Sequence, residues 1–301
     1  MLPLLRRVAG RTSDRAVDVG YAVGWALVRA LPEPVAQRLF RAGADLAYRR
    51  GGGAVERLRS NLARVAPDAD LDLLLRAALR SYGRYWCEVF RLPVTPPERV
   101  VSGMRTVGEQ RLRASVASGR GTILALPHSG NWDHAGAWCT ATGVPFTTVA
   151  ERLRPESLYD RFVAFRESLG MEVVPLTGGS RPPFVVLAER LRAGGMLCLL
   201  SDRDLSARGI DVLFFGATAR MPAGPAALAL RTGATLLPVT LSFTPDGWHC
   251  VFHPEVPHTD IRTMTQQVAD AFETGIRAHP ADWHMLQRLW LDDLDPARPA
   301  P

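Results

Sequence analysis

Short apolar runs alternate with longer amphipathic stretches from about residue 105 onward, and this alternation constrains the fold more than any other feature of the sequence. Apolar runs of four to eight residues, separated by segments of helical periodicity and by Gly or Pro, predict strands joined by helices. We therefore expect an α/β fold, in which helices flank a central, mostly parallel or mixed sheet. The predicted strands are Thr122–Leu126, Phe146–Ala150, Glu172–Pro175, Met196–Leu200, Asp211–Phe215, Thr235–Ser242 and His249–His253.

Residues 14 to about 92 instead predict one helix after another, separated by Pro32, by the glycines at 51–53 and by Pro67. We expect a helical N-terminal region over 1–100, an α/β core over 101–290 and a loose tail over 291–301. The first helix is apolar on more than one face, so it either packs inside the protein or lies in a membrane interface. The predicted helices are Asp14–Leu31, Glu33–Arg50, Val55–Val65, Asp70–Phe90, Gly108–Ser118, Trp132–Thr142, Pro155–Leu169, Pro182–Ala193, Gly224–Arg231 and Ile261–Ala278.

The basic charge balance narrows the class of partner. A formal net charge of +6 over 301 residues favours an anionic partner, which could be a nucleic acid, a phospholipid surface or a phosphorylated cofactor. The chain has no zinc-finger spacing, no RNA-binding aromatic signature and no basic helix, so we do not expect it to bind nucleic acid. No uncharged apolar stretch reaches the roughly 18 residues of a membrane span. The four cysteines form no CxxC pair, which fits a reducing compartment.

A histidine follows the first core strand directly. In the sequence His128-Ser129-Gly130-Asn131-Trp132-Asp133, the histidine precedes the aspartate by five positions. Five residues of ideal helix turn through about 500°, so the two side chains cannot share a helix face, and His128 must precede the helix. Ligands of open α/β sheets bind beyond the carboxyl ends of the strands. His128 is therefore a candidate general base near neutral pH, and a helix-capping loop is the plainer interpretation of the same residues.

Two other interpretations of this loop are weaker. His128, Asp133 and His134 could hold a metal ion, but no second cluster with ligand spacing follows, and the remaining histidines are scattered late in the chain. Ser129 as a nucleophile would need a Gly-x-Ser-x-Gly elbow, which this sequence lacks. We therefore expect no metal and no serine nucleophile.

A second group of polar residues follows the strand Met196–Leu200. Asp202 and Arg203 come directly after that strand, and Arg208 and Arg220 follow in the next loops. A carboxylate at a strand end could orient His128, and the arginines could hold an anionic group. Gly224, within Met221-Pro222-Ala223-Gly224-Pro225, marks a helix start whose free amides suit a phosphate or an oxyanion. Each feature alone is more often a surface ion pair or an ordinary helix entry.

Taken together, these motifs resemble the lysophospholipid acyltransferase superfamily. Within it they resemble the bacterial lipid A lauroyl/myristoyl acyltransferases, and most closely the actinobacterial phosphatidylinositol mannoside acyltransferases. The resemblance covers about residues 15–290 in order. The motifs that carry it are His128-Ser129-Gly130-Asn131-Trp132-Asp133, Glu151-Arg152, Asp202-Arg203-Asp204 through Phe215-Gly216, Met221 to Pro225, and Asp282-Trp283-His284-Met285-Leu286-Gln287.

The resemblance implies a reaction and its substrates. A long acyl chain, typically palmitoyl, would pass from acyl-CoA to a mannose hydroxyl of a phosphatidylinositol mannoside. The protein would be a peripheral monomer at the cytoplasmic face of the plasma membrane, with acyl-CoA as co-substrate and no bound cofactor. Its partners would be acyl-CoA, the glycolipid acceptor and the anionic membrane surface.

The resemblance also implies roles for individual residues. His128 would be the general base, and Asp202 stands where the mannoside branch has a glutamate, so it must sit closer to His128 or orient it less firmly. Asp133 would hold the loop in shape through Arg166. The remaining expected substrate contacts are Glu151, Arg152, Gly224 and, for the CoA phosphates, Arg203, Arg208 and Arg220.

Several functions stay open on the sequence alone. The acceptor could be another lysolipid or glycolipid, such as a lysophosphatidic acid or lipid A precursor. An acyl-CoA thioesterase would use the same base with water as the acceptor. A non-catalytic protein that binds membrane lipids is the alternative suggested by the positive charge and the apolar first helix.

Overall fold

Helices follow one another through the N-terminal part of the described chain. The computed structural model describes residues 24–152, 156–204 and 208–294. Residues 24–30 are helical, and the rest of the helix predicted over Asp14–Leu31 lies almost entirely outside the described residues. The helices that follow are α1 (Glu33–Arg50), α2 (Gly53–Val65), α3 (Leu71–Arg91) and α4 (Pro97–Ser102).

Local sequence signals explain where these helices begin and end. Gly51 and Gly52 have φ values of +66° and +111°, a conformation that costs glycine little, and they separate α1 from α2. The Asp70 carboxylate caps α3, accepting hydrogen bonds from the backbone amides of Asp72 and Leu73. Leucines on the facing sides of α2 and α3 then pack into a small apolar cluster.

A seven-stranded mixed sheet forms the centre of the molecule, in the order β1-β9-β8-β2-β5-β3-β4. The strands β8, β2, β5, β3 and β4 run parallel, whereas β9 is antiparallel to β8 and β1 is parallel to β9. This confirms the predicted α/β class with a mostly parallel or mixed sheet. The strands are β1 (Met104–Val107), β2 (Thr122–Leu126), β3 (Phe146–Ala150), β4 (Glu172–Pro175), β5 (Met196–Leu200), β8 (Thr235–Phe243) and β9 (Trp248–Phe252).

Helices cover both faces of this sheet, and the burial of the central strand β2 is evidence for both layers. Every residue of β2 is buried, as expected of a central parallel strand that both layers of helices cover. Ile123 and Ala125 belong to one apolar cluster, and Leu124 and Leu126 to another, because successive strand residues point to opposite faces. The covering helices are α5 (Glu109–Ala117), α6 (Trp132–Ala141), α7 (Glu156–Ser168), α8 (Pro183–Arg192), α9 (Gly224–Thr232) and α10 (Ile261–Ala278).

The strand predicted at Asp211–Phe215 does not join the main sheet. It forms β6 (Ile210–Phe214), which pairs only with β7 (Ala217–Met221) in a separate antiparallel hairpin. Phe215 and Gly216 connect the two strands with φ values of +49° and +75°, as a tight turn with two left-handed residues requires. Neither β7 nor the short edge strand β1 was predicted from the sequence.

The described chain ends at residue 294, within the region predicted as a loose tail over 291–301. Leu291–Asp293 forms a short 3-10 helix, and Asp293 pairs with Arg64 of α2 at 3.1 Å. Residues 295–301 lie outside the described part. Among the helices that are described, none combines the length and the hydropathy that a membrane crossing requires.

We predict that Gly130, in the loop after β2, tolerates alanine poorly. It has φ of +56°, and an added Cβ would lie 2.8 Å from the carbonyl carbon of Leu241 in β8. Gly143 has φ of +80° but open space around it, so it is a matched control. Gly143→Ala should cost about 1–2 kcal/mol of unfolding free energy for the left-handed backbone alone. Gly130→Ala should cost about 1–3 kcal/mol more because of the overlap.

Urea denaturation of both variants measures this difference. Equal losses for Gly130→Ala and Gly143→Ala would show that the loop after β2 does not depend on its close approach to β8.

Candidate active site

The register of two neighbouring strands brings His128 and Asp202 together. Strands β2 and β5 are parallel, and Leu126 pairs with Leu200 at their carboxyl ends. His128 and Asp202 each follow two residues after that pair, at the same edge of the sheet. The backbone amide of Ser201 also donates to the carbonyl of Leu126 at 2.8 Å. This hydrogen bond continues the register of the two strands one residue beyond the end of β5.

The two residues are joined by two hydrogen bonds. The His128 Nδ1 atom lies 2.5 Å from Asp202 Oδ1, and the His128 backbone amide donates to Asp202 Oδ2 at 2.9 Å. The aspartate therefore lies close enough to contact the ring, although its side chain is shorter than the glutamate that the family resemblance implies. With Nδ1 engaged, Nε2 is the nitrogen left for a substrate, and 31% of the His128 side chain is exposed.

Asp202 is completely buried and yet remains ionised. Burial alone would raise the pKa of the Asp202 carboxyl, but the charge of His128 and its side-chain and backbone hydrogen bonds outweigh that effect. A further hydrogen bond from Trp283 Nε1 to Oδ2, at 3.0 Å, acts in the same direction. The pKa of Asp202 is consequently lower than usual, so this carboxylate carries its charge at neutral pH.

The segment 282–284 ties the His128 loop to the rest of the protein. The Gly130 amide donates to the Asp282 carbonyl at 2.9 Å, and the His284 amide donates to the His128 carbonyl at 2.7 Å. The Asp282 carboxylate accepts from the Ser81 hydroxyl of α3 at 2.7 Å and from the Phe243 amide of β8 at 2.8 Å. Three elements that are distant in sequence therefore fix the backbone on either side of the base.

The second carboxylate of the loop, Asp133, faces away from this pair. It is 2% exposed and accepts hydrogen bonds from Arg166 Nε at 2.7 Å and from the Tyr85 hydroxyl at 3.0 Å. Burial would lower the pKa of Arg166, but the charge and hydrogen bonds of Asp133 raise it, so the guanidinium stays charged. Asp133 thus links α6 to α3 and α7, which is the contact with Arg166 that the family resemblance implies.

Asn131 begins the helix that follows the loop. Its side-chain oxygen accepts from the His134 amide at 2.9 Å, which caps α6, and its Nδ2 donates to Glu88 at 2.8 Å. His134 itself stacks on Trp248 with ring centroids 3.4 Å apart, and burial lowers its pKa to about 3. This histidine belongs to the core. Within the described ranges, no three His, Cys, Asp or Glu side chains are grouped closely enough to hold a metal ion.

Comparisons with known proteins show which family the chain belongs to. The model of the bacterial lipid A biosynthesis acyltransferase family matches residues 10–292. The chain belongs to this family. A phosphatidylinositol mannoside acyltransferase of Mycolicibacterium smegmatis is 54% identical over 291 residues, which are 95% of each chain. One of Mycobacterium tuberculosis is 52% identical over 292 residues, which cover 95% of this chain and 92% of the relative. The resemblance inferred from the motifs is thereby confirmed.

Two of the predicted substrate-binding residues of this acyltransferase lie close to the His128–Asp202 pair. Arg203 is half-buried next to Asp202, and burial lowers its pKa although the charges of Glu151 and Asp202 act in the opposite direction. Glu151 is exposed just after β3, the strand beside β5. One cation and one further carboxylate therefore stand at this edge of the sheet.

The other predicted substrate-binding residues lie in different surroundings. Arg152 pairs with Glu156 on the surface, and Arg220 pairs with Asp211 across the β6–β7 hairpin at 2.8 Å. Arg208 is exposed. Gly224 is the first residue of α9, as predicted, and a Cβ added there would meet nothing within 4 Å.

Several residues of the site were not predicted from the sequence. Trp283 supplies the third donor to Asp202, His284 bonds the backbone of His128, and Tyr85 bonds Asp133. The motif at 282–287 is part of the family resemblance, but its spacing does not indicate which atoms its side chains contact. Tyr85 is buried on the amphipathic helix α3, where an aromatic residue is usually part of the core.

We predict that Arg166 and Asp133 stabilise the fold as a pair. Arg166→Met should cost about 3–5 kcal/mol of unfolding free energy, because it leaves the buried Asp133 carboxylate without its countercharge. Asp133→Asn combined with Arg166→Met should cost clearly less than the sum of the two single changes. Arg190→Met is the control, since Arg190 forms an exposed pair with Glu172 and should matter little.

Denaturant unfolding of the two single variants and the double variant measures the coupling between them. Strictly additive losses would contradict the role given to this ion pair.

Proposed function

We propose that this acyltransferase moves a long acyl chain of the palmitoyl type from acyl-CoA to a mannose hydroxyl of a phosphatidylinositol mannoside. The observation that carries the proposal is the His128–Asp202 pair. A buried carboxylate holds an imidazole there, just beyond the carboxyl ends of two central strands. The names of the relatives at 52–54% identity support the choice of acceptor.

The pair suits general-base catalysis. His128 takes the proton of the attacking hydroxyl at Nε2, since Nδ1 is bonded to Asp202, and the ionised aspartate stabilises the resulting imidazolium. The hydroxyl oxygen adds to the thioester carbonyl carbon and forms a tetrahedral oxyanion. This intermediate then collapses as the C–S bond breaks, and the proton passes from His128 to the departing thiolate. Coenzyme A is a good leaving group as a thiolate, so the reaction needs no strong acid and no covalent enzyme intermediate.

Developing negative charge must be stabilised during this reaction. We propose that the backbone amides at the start of α9, where Gly224 is the first residue, stabilise the tetrahedral oxyanion. Arg203 is the strongest candidate of the three arginines proposed for the CoA phosphates, because it directly follows Asp202 in the site. Within the described residues it forms no hydrogen bond with the two nearby carboxylates, Glu151 and Asp202. Arg208 and Arg220 are further candidates on the loops that follow.

Two buried polar atoms near His128 support a substrate oxygen at this place. In the described part of the chain, Trp132 Nε1 and His284 Nδ1 are buried and have no hydrogen-bond partner. The Trp132 ring lies 5.5 Å from the His128 ring and 6.1 Å from the His284 ring, measured between centroids. Buried polar groups without partners are costly. A substrate oxygen could accept a hydrogen bond from Trp132 Nε1, and a substrate hydroxyl could donate one to His284 Nδ1.

An apolar cavity next to the site offers a path for the acyl chain. Its volume is about 60 Å³, and Trp132, Asp133 and Arg166 line it together with apolar side chains. A long chain needs more room, and Met171 is a lining side chain flexible enough to move. The apolar lining comes from both sheet and helices: Leu124, Leu126, Trp138, Phe146, Leu200, Val239 and Phe252.

We further propose that the protein works as a peripheral monomer at the cytoplasmic face of the plasma membrane. A net charge of +6 supports this, since anionic lipid headgroups attract basic proteins. Both the acyl donor and the glycolipid acceptor are amphipathic, so a site open at the membrane surface would reach each of them.

The proposed reaction predicts CoA release that depends on the acceptor. Purified protein with palmitoyl-CoA and phosphatidylinositol dimannoside should release CoA and form an acylated glycolipid, detected with a thiol reagent and by mass spectrometry. Equal CoA release with and without the glycolipid would indicate a thioesterase. Binding to anionic vesicles with no turnover of either kind would indicate a lipid-binding protein instead.

Variants of the pair test the assignment of the base. His128→Gln should lower turnover by about 10²- to 10⁴-fold, because no other group takes the proton. Asp202→Asn should cause a comparable loss, since the imidazolium loses its countercharge. His258→Gln is the control, because His258 is exposed and contacts Ala234 at the opposite edge of the sheet. Full activity of His128→Gln would overturn the assignment.

A further inference from the structure

A second cavity, much larger than the first, opens between α1, α3 and the turn from β8 to β9. Its volume is about 850 Å³, and the acyl-transfer scheme above assigns it no role. We call it the arginine cleft, because six arginine side chains line it: Arg38, Arg41, Arg80, Arg84, Arg91 and Arg99. Ligand sites commonly have volumes of about 300–1,000 Å³, so the cleft is large enough for a polar headgroup.

The cleft carries excess positive charge. Its four carboxylates are fewer than its arginines, and two of them are already paired, Glu33 with Arg99 and Glu88 with Arg84. A third, Asp282, accepts hydrogen bonds from Ser81 and Phe243, and burial raises its pKa. The fourth is Asp246, on the turn between β8 and β9.

Three of the arginines keep their charge without a carboxylate partner. Arg38 and Arg41 are exposed, stand three residues apart on one side of α1, and form no hydrogen bond or ion pair with any described residue. Among the described residues, the hydrogen-bond acceptors of Arg91 of α3 are backbone carbonyls alone, those of Val28 at 2.8 Å and Leu31 at 2.6 Å. Carbonyl oxygens hold a guanidinium in place but do not neutralise it.

The floor of the cleft leads to the base. Ser81 lines the cleft, and its hydroxyl lies 3.1 Å from His284 Nε2. The His284 amide in turn donates to the His128 carbonyl at 2.7 Å. Ser81 therefore connects the cleft to the backbone of His128 through the side chain and the amide of His284.

We propose that the arginine cleft binds a phosphate group of a substrate. This inference rests on the proposed function, in which both substrates are phosphate esters: the acceptor through its phosphoinositol headgroup and the donor through coenzyme A. Arginine forks match phosphate oxygens in geometry and charge, and the unpaired Arg38 and Arg41 stand where an anion can reach them from solvent. The cleft thus holds one substrate by its phosphate while another part of that substrate reaches His128.

Direct binding to the full chain tests the proposal. The probes are glycerophosphoinositol, adenosine 3′,5′-bisphosphate and inorganic phosphate, titrated by calorimetry in the absence of any acyl donor. Tighter binding of the first probe identifies the glycolipid headgroup as the source of the phosphate, and tighter binding of the second identifies coenzyme A. Binding of none of the three would overturn the proposal.

A matched pair of variants distinguishes the cleft from general surface charge. Arg38→Gln with Arg41→Gln removes two charges from the cleft, whereas Arg49→Gln with Arg50→Gln removes two exposed charges from the last turn of the same helix, outside the cleft. The first pair should weaken binding of the preferred probe by about 10-fold or more, and the second should leave it unchanged within about 2-fold. Equal weakening by both pairs would overturn the proposal.

The same measurements separate this inference from the acyltransferase activity. If the protein binds a probe through Arg38 and Arg41 but transfers no acyl chain, the proposed function is wrong and the proposed phosphate site remains supported. If the protein transfers the acyl chain but binds none of the probes, the proposed phosphate site is wrong and the proposed function remains supported.

Discussion

The pairing of β2 with β5 is the constraint on which the rest of the site depends. Because Leu126 and Leu200 stand opposite each other, two residues of further chain bring the ring of His128 to the carboxylate of Asp202. A slip of one residue in that register would turn every side chain to the other face of the sheet. The apolar side chains of β2, divided between two clusters, hold the register, so the packing of the core also determines the geometry of the base.

The two buried carboxylates Asp133 and Asp202 are neutralised in different ways. Asp133 is paired with Arg166, whose guanidinium carries a permanent positive charge. Asp202 faces the imidazole of His128 and is otherwise held by neutral donors, the backbone amide of His128 and the indole of Trp283. The first arrangement suits a structural link, whereas the second suits a group that stabilises a proton received from elsewhere.

Much of the fold could be predicted from the sequence, since buried strands and amphipathic helices leave strong periodic patterns. The edge strand β1 was missed because four residues with one buried position carry almost no pattern. The strand at Asp211–Phe215 was recognised but placed in the wrong sheet, because pairing partners are set by tertiary packing. Within the site, His128 and Asp202 could be predicted from strand ends. The contact of Trp283 with Asp202 spans 81 residues, and no local signal reports it.

The parts of the site lie far apart along the chain, and this has a consequence for synthesis in the cell. The ribosome delivers His128 first, Asp202 follows after a further 74 residues, and Trp283 after a further 81. Domains fold as they emerge, from the N-terminal side onward. A nascent chain that has not yet reached residue 283 therefore has its imidazole but not the segment that closes on it, so the base is complete only after that segment has been translated.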